Sequence, residues 1–435
     1  MKKKLYLGVA REIITPEVGG NLYGYRPDVI SESVHDDLTL TAFYFTDGSA
    51  SALMISATLC LMNTQLCDGT LSVIEERFGI PKGNCILHCT HTHSGPNLAG
   101  NFGWGEIDGK YYDGIFLPAL LRAVERAKSS PVAVTVGVAV GNSFVAVNRR
   151  ELRKDNSVSL GQNPWGPFDP AMTVLAFRDE DGKAVANIIH YGMHGTCAGM
   201  NKEISRDWSG IMIDEVEKQS GAVTAFFNGA EGDVGPRLTN GFTVGDITYV
   251  ERLGAVAAQD ACAIYRGIRS YEEAALSVLD GSLRIPLEKR VSLDTAETEY
   301  EKLKGNTVNI QGKMAHYYKT QIELYRSGYV DQPVRELQQT VIAIGGVAFV
   351  AFPYELFSEI SMRIARERAF PYTLSLSNTN GSEGYFVTED QICRGGYEVG
   401  MFKTGYLQPY ADNADMFMVN GTLENLNKLA DADKR

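Results

Sequence analysis

The chain has 435 residues, of which 44% are hydrophobic and 22% charged, and a formal net charge of −12 at pH 7. That length holds one large domain or two or three ordinary ones, and the composition is that of a globular protein. The negative balance argues against a nucleic-acid or anionic-membrane partner, since both need clustered Lys and Arg. The longest near-continuous apolar run, 341–352, is interrupted by Gly345 and Gly346 and is too short to span a bilayer.

The opening MKKKLYLGVARE loses its apolar character at Arg11 and Glu12, so no secretory signal is expected and the expected location is cytoplasmic. Strand-like apolar runs follow at 52–56, 85–90, 132–140, 172–177, 184–190, 223–227, 341–352 and 372–377. Helical periodicity marks 66–78, 111–127, 208–218, 249–265 and 355–368. Asp179-Glu180-Asp181-Gly182 and Gly345-Gly346 read as hairpin turns. Between 287 and 338 charged residues, Tyr and Gln dominate, and two amphipathic stretches, 294–303 and 311–327, flank Gly305-Asn306. This segment reads as a helical hairpin inserted into the main domain, either roofing the site or forming a solvated excursion. The expected fold is α/β, with mixed sheets and flanking helices, in a single domain over 1–435. Seven irregularly spaced cysteines suit free buried thiols in a reducing compartment.

Three of the seven histidines fall in CILHCTHTHSGPN, at His88, His91 and His93. Side chains alternate along a strand, so His91 and His93 point one way and His88 the other. Two imidazoles on one face can serve one metal ion, or one can bind the metal while the other moves protons. The same pattern also suits two ordinary polar residues on a half-buried strand. Other chemistry-bearing residues recur just past strand ends: His194 in IIHYGMHGTCAG, Glu231 and Asp233 in NGAEGDVGPR, Glu355 in AFPYELF, where it also opens a helix, and Tyr385 in SNTNGSEGYF. Open α/β sheets place ligands and catalysis at that end of their strands.

With these residues in view, the chain resembles the catalytic domain of the neutral, non-lysosomal ceramidase family. The likeness runs in order through GVAREIITPEVGG, HDDLTLTAFYF, HTHSGP, VNRRE, MHGTCAG, SRDWSG, NGAEGDVGP, FPYELF and GYFVTEDQICRGGYE. The resemblance implies one Zn²⁺ held by His91, His194, Glu355 and Tyr385. It implies His93 as base or proton shuttle, and Arg149 and Tyr397 as groups that bind or polarise the scissile carbonyl. Asp207, Asp233 and His35 match family positions near the site. Asp207 also reads as the N-cap of a helix starting at Trp208, Asp233 as a turn residue, and His35 as a hydrogen-bonded histidine.

The chemistry fits hydrolysis. Zinc favours His nitrogen and carboxylate oxygen and lowers the pKa of a water from about 16 towards about 7. A neighbouring imidazole accepts and returns a proton, and an aimed Arg or Tyr stabilises the oxyanion. The expected activity is cleavage of an amide in a small or lipid-like N-acyl substrate. The alternatives are a zinc hydrolase of an ester or lactone and a non-catalytic binding protein on the same scaffold. The chain departs from the family in two ways. The family's GDVSPN serine is replaced by Gly235, which removes any mechanism that needs that hydroxyl. The family's additional C-terminal β-sandwich is not read here, because the sequence closes on helix-like ENLNKLADADKR. Together these point to a soluble N-acyl compound rather than ceramide.

Overall fold

The computed structural model of the protein describes residues 4–433; the first three residues of the lysine-led opening and the last two of the tail lie outside them. Its main sheet runs, in spatial order, through Val223–Asn228, Ala184–Tyr191, Ala171–Arg178, Val132–Asn142, Leu5–Ile13, Thr39–Thr46, Ser51–Ala57 and Cys85–Cys89. The two edge pairs are parallel and the interior pairs antiparallel. A second sheet orders Leu276–Pro286, Val334–Ile344, Val347–Ala351 and Tyr372–Leu376. The expected mixed α/β class therefore holds.

Period-two patterning stacks the layers. In Thr39–Thr46, Phe43 and Phe45 face the second sheet, meeting Phe349, Ile342 and Leu374, while Ala42 and Tyr44 face helices. Helices Thr64–Phe78 and Leu117–Ser129 cover one half of the main sheet's outer face, and Trp208–Ser220 and Ile247–Gly267 cover the other. Ser358–Arg366 and Ala414–Asp433 cover the second sheet. The architecture is helix, sheet, sheet, helix.

The structure forms the hairpin expected at Gly345-Gly346 and redraws two boundaries. The run 341–352 is two strands, Val334–Ile344 and Val347–Ala351, folded at Gly345-Gly346. The former begins at Val334, so the insertion ends earlier than its composition suggested. Pro286 pairs with Val334, and helices Leu293–Leu303 and Asn309–Ser327 form the long connection of a hairpin. Glu355 does not open a helix. It lies in a two-residue strand paired with Tyr385–Phe386, and the helix starts at Ser358.

Strand exits are tied together by Asn228. Its backbone N–H donates to His88 Nε2 at 2.8 Å, and its side-chain amide donates to the carbonyls of Thr90 and Met193 at 3.1 and 3.0 Å. His88 is buried, its Nδ1 lies 3.0 Å from Thr379 Oγ1, and burial drives its pKa down to about 3. It is a neutral structural residue.

Candidate metal centre

The loops after the strands Cys85–Cys89 and Ala184–Tyr191 run side by side. Thr92 bridges Gly195, and the His93 N–H donates to the Gly195 carbonyl at 3.1 Å. A β-carbon at Gly195 would stand 2.5 Å from the His91 carbonyl oxygen, so glycine permits this approach. His91 itself has φ 70°, a left-handed conformation that non-glycine residues rarely adopt. This turn, not simple strand alternation, brings His91 and His93 to one side.

His91 and His194 meet edge to face, with ring centroids 4.4 Å apart. Glu355 Oε2 lies 3.1 Å from His194 Nε2 and 3.4 Å from His91 Nε2. The three donor atoms fall within 4.8 Å of one another, and all three residues are buried. His194 Nδ1 faces the Glu231 carbonyl at 2.7 Å, and His91 Nδ1 faces the Cys60 carbonyl at 3.2 Å. The carbonyl acceptor places the His194 ring proton on Nδ1 and leaves its Nε2 with a lone pair. Burial lowers His194 to about 3, so it is neutral. Burial alone would raise Glu355, but His91, itself pushed well above its ordinary value against burial by Cys60 and Glu355, draws it well below, so Glu355 is a carboxylate paired with a charged His91. Lone pairs of His194 Nε2 and Glu355 Oε2 thus face each other, and neither atom has a hydrogen-bond partner. Acceptors converging in a buried space fit a cation, and two nitrogens with a carboxylate suit a borderline-soft divalent one.

A second group, Cys60, His91 and His93, shares His91. Cys60 Sγ is 3.7 Å from His91 Nδ1, and burial raises its thiol, so it supplies no charge to match Glu355. Cys85 and Cys89 pack among apolar side chains away from these donors.

His91 and Glu355 open on a cavity of about 40 Å³ that is also lined by Tyr23, His93, Trp104, Tyr385 and Tyr397. His93 Nε2 stands 3.2 Å from His91 Nε2, and burial together with His91 and His194 holds its pKa well below the usual value. Tyr385 reaches the site through its pairing with Glu355. Burial pushes Tyr385 and Tyr397 upward, so both keep their phenolic protons. Arg149 is absent from the cavity wall. It stands behind Tyr385, donating to its oxygen at 2.9 Å, and forms an ion pair with Glu398 at 3.0 Å.

The remaining expected residues act at greater distance. Asp207 caps the helix at Trp208 (2.7 Å) and accepts from the Ala198 N–H (2.9 Å), holding the loop that follows His194. Asp233 accepts from Ser358 N–H (2.7 Å) and Asn148 Nδ2 (3.0 Å), fixing the chain just after Glu355. His35 is not brought in: it pairs with Asp36 at 2.8 Å and Glu251 at 3.4 Å, part-exposed. At Gly235 a β-carbon would stand 2.6 Å from Thr243 Cβ, so the family's serine does not fit unless Thr243 moves.

Asn378, at the centre, was not picked out from sequence. The Asn378 side chain lies 3.2 Å from His91 Nδ1 and donates to Glu231 Oε1 at 2.6 Å. Burial pushes Glu231 up to about 8. Asn378 takes a left-handed φ of 49°, a tolerance of asparagine that gives a sequence reader its one signal.

Residues 5–249 match the family described as neutral/alkaline non-lysosomal ceramidase, N-terminal. The fold is similar to neutral ceramidase from Pseudomonas aeruginosa, with a TM-score of 0.77 at 18% identity over 99% of this chain and 75% of that one. It is also similar to a ceramidase complexed with C2, with a TM-score of 0.71 at 16% identity over 100% of this chain and 76% of that one. At these identities the likeness is one of fold. No curated protein sequence matches.

Proposed function

We propose a function from one premise, that this chain belongs to the neutral/alkaline non-lysosomal ceramidase family: it is a zinc-dependent hydrolase of N-acyl amide bonds. The observation that carries the reading is the buried facing of His194 Nε2, His91 Nε2 and Glu355 Oε2 without hydrogen-bond partners for the first and last. His91, His194 and Glu355 would hold the ion, with Tyr385 beside them. When bound, zinc supplies a Lewis acid that activates water and polarises a carbonyl.

The protein's own groups do the rest. His93, kept neutral at the cavity wall, accepts a proton from the attacking water and returns it to the leaving nitrogen. Tyr397, still protonated and lining the same cavity, donates to the carbonyl oxygen as negative charge develops there. Arg149 orients the Tyr385 oxygen rather than touching substrate. Gly235 has no hydroxyl, and this scheme asks for none. Among the described residues no helix is long and apolar enough to cross a membrane.

The test is hydrolysis by zinc-loaded protein of an N-acyl amide and its matched ester, each with and without chelator. Chelator-sensitive release of the amine supports the reading. Turnover of the ester alone excludes amide hydrolysis, and turnover of neither excludes a hydrolase acting on these bonds.

A further inference from the structure

The inserted helix Asn309–Ser327 walls a chamber of about 440 Å³, opposite the loop around Asn101 and Phe102 and the segment at Thr404–Leu407. Asn101 lines both this chamber and the small cavity beside the histidines, so the two adjoin. The same helix packs on Tyr397–Thr404, whose first residue lines the cavity.

The chamber is chemically unbalanced. Lys313 lines it, half-buried, and among the described residues makes no ion pair or hydrogen bond. It lies close enough to Glu355 to feel that charge, yet burial still lowers its pKa to about 8, which leaves the amine charged at neutral pH. One helical turn on, Tyr317 lines the same chamber; its hydroxyl, which feels Arg290, has no hydrogen-bond partner although the residue is only 6% exposed. Gln321 is fully buried; its Nε2 donates to the Leu407 carbonyl at 2.9 Å, while its Oε1 has no partner. His316 stacks on Phe102, and burial lowers its pKa, so it adds no charge. The acidic member of the wall, Glu106, is exposed and forms no ion pair with Lys313. A half-buried ammonium without an ion-pair or hydrogen-bond partner in this wall calls for an anion.

We infer that this chamber receives the amine portion of the substrate and that this portion carries an anionic group, a carboxylate in the simplest case, paired with Lys313. The inference rests on the amide-hydrolase reading and narrows it to acidic N-acyl compounds of the N-acyl amino acid type, in place of amides with a neutral polyol head.

The experiment compares N-octanoylglycine with its neutral analogue N-octanoylglycinamide on zinc-loaded wild type, Lys313→Met and Lys313→Arg. Wild type should favour the acid in kcat/KM, mainly through KM. The acid-to-neutral ratio should fall by about tenfold or more in Lys313→Met, the size of a lost charged hydrogen bond, and return in Lys313→Arg. An equal effect of Lys313→Met on both compounds, or no preference for the acid in wild type, overturns the inference. Calorimetric binding of the two compounds to wild type and Lys313→Met separates this from the parent reading. Selective binding of the acid that is lost in Lys313→Met supports the chamber's role even without turnover. Equal binding of both compounds refutes that role even if amides are hydrolysed.

Discussion

Glu398 offers a demanding test of how the site is braced. Its two carboxylate oxygens meet Arg149 Nε at 3.0 Å and Arg150 Nη1 at 2.6 Å, with side-chain exposures of 1%, 7% and 3%. At about 3 Å and an effective dielectric near 20, each contact is worth about 5 kcal/mol before desolvation. Desolvation offsets much of that, and removing one partner of a buried pair typically costs about 3–5 kcal/mol. Glu398→Gln should sit at the lower end, about 3 kcal/mol. The reason is that Arg150 keeps Gln391 Oε1 at 3.0 Å and the Gly395 carbonyl at 2.7 Å, and the new amide oxygen still accepts one bond. Urea unfolding reads the change as a shift in midpoint with unchanged slope. Glu32→Gln, which breaks the exposed pair with Lys202, is the control and should change stability by about 1 kcal/mol or less. Glu398→Gln should also weaken hydrolysis while zinc is retained, because Arg149 loses the anchor that aims it at Tyr385. A stability change no larger than the control's would refute the reasoning.

Other outcomes follow from the same contacts. His93→Ala should keep its zinc and lose about 10²–10⁴ in kcat/KM, read by metal analysis beside kinetics; loss of the metal would make His93 a ligand. Gly24→Ala should behave similarly, since φ is +133° there and a β-carbon would stand 2.4 Å from His93 Nδ1; full activity in that variant would mean that His93 does not need its present seat. Burial raises Asp233 from 3.8 to about 6. An acid raised in the folded state contributes stability at low pH that is lost as pH rises through the folded value. Relative to Asp233→Asn, wild type should therefore lose up to about 3 kcal/mol between pH 4 and 6, and parallel stability curves would contradict this.

Much of the fold was legible because its strands are apolar runs bounded by turn residues. Cys85–Cys89, Ala184–Tyr191 and Val223–Asn228 are buried along their length or nearly so, and each stands out in the sequence. Leu5–Ile13 and Leu276–Pro286 were not picked out, since these half-buried strands interleave Arg11, Glu12, Asp280 and Arg284 with their apolar residues. At the centre, local motifs pointed to His91, His93 and His194, whose loops follow clear strands. Glu355 was found, but as a helix opener, because its two-residue strand exists only through pairing with Tyr385, thirty positions away. Cys60, Asn378 and Glu398 act through long-range contacts that no spacing announces. Lys313 belongs to a segment whose amphipathic pattern reads equally as solvated surface, and only the packing of that helix beside Asn101 gives the lysine its meaning.

The central claim is that His91, His194 and Glu355 grip one divalent cation. Its most direct test is zinc content by mass spectrometry after loading and desalting, for wild type and His194→Ala. Wild type should hold about one tightly bound ion per chain and His194→Ala close to none. A zinc-free wild type, or an undiminished ion in His194→Ala, would contradict the account.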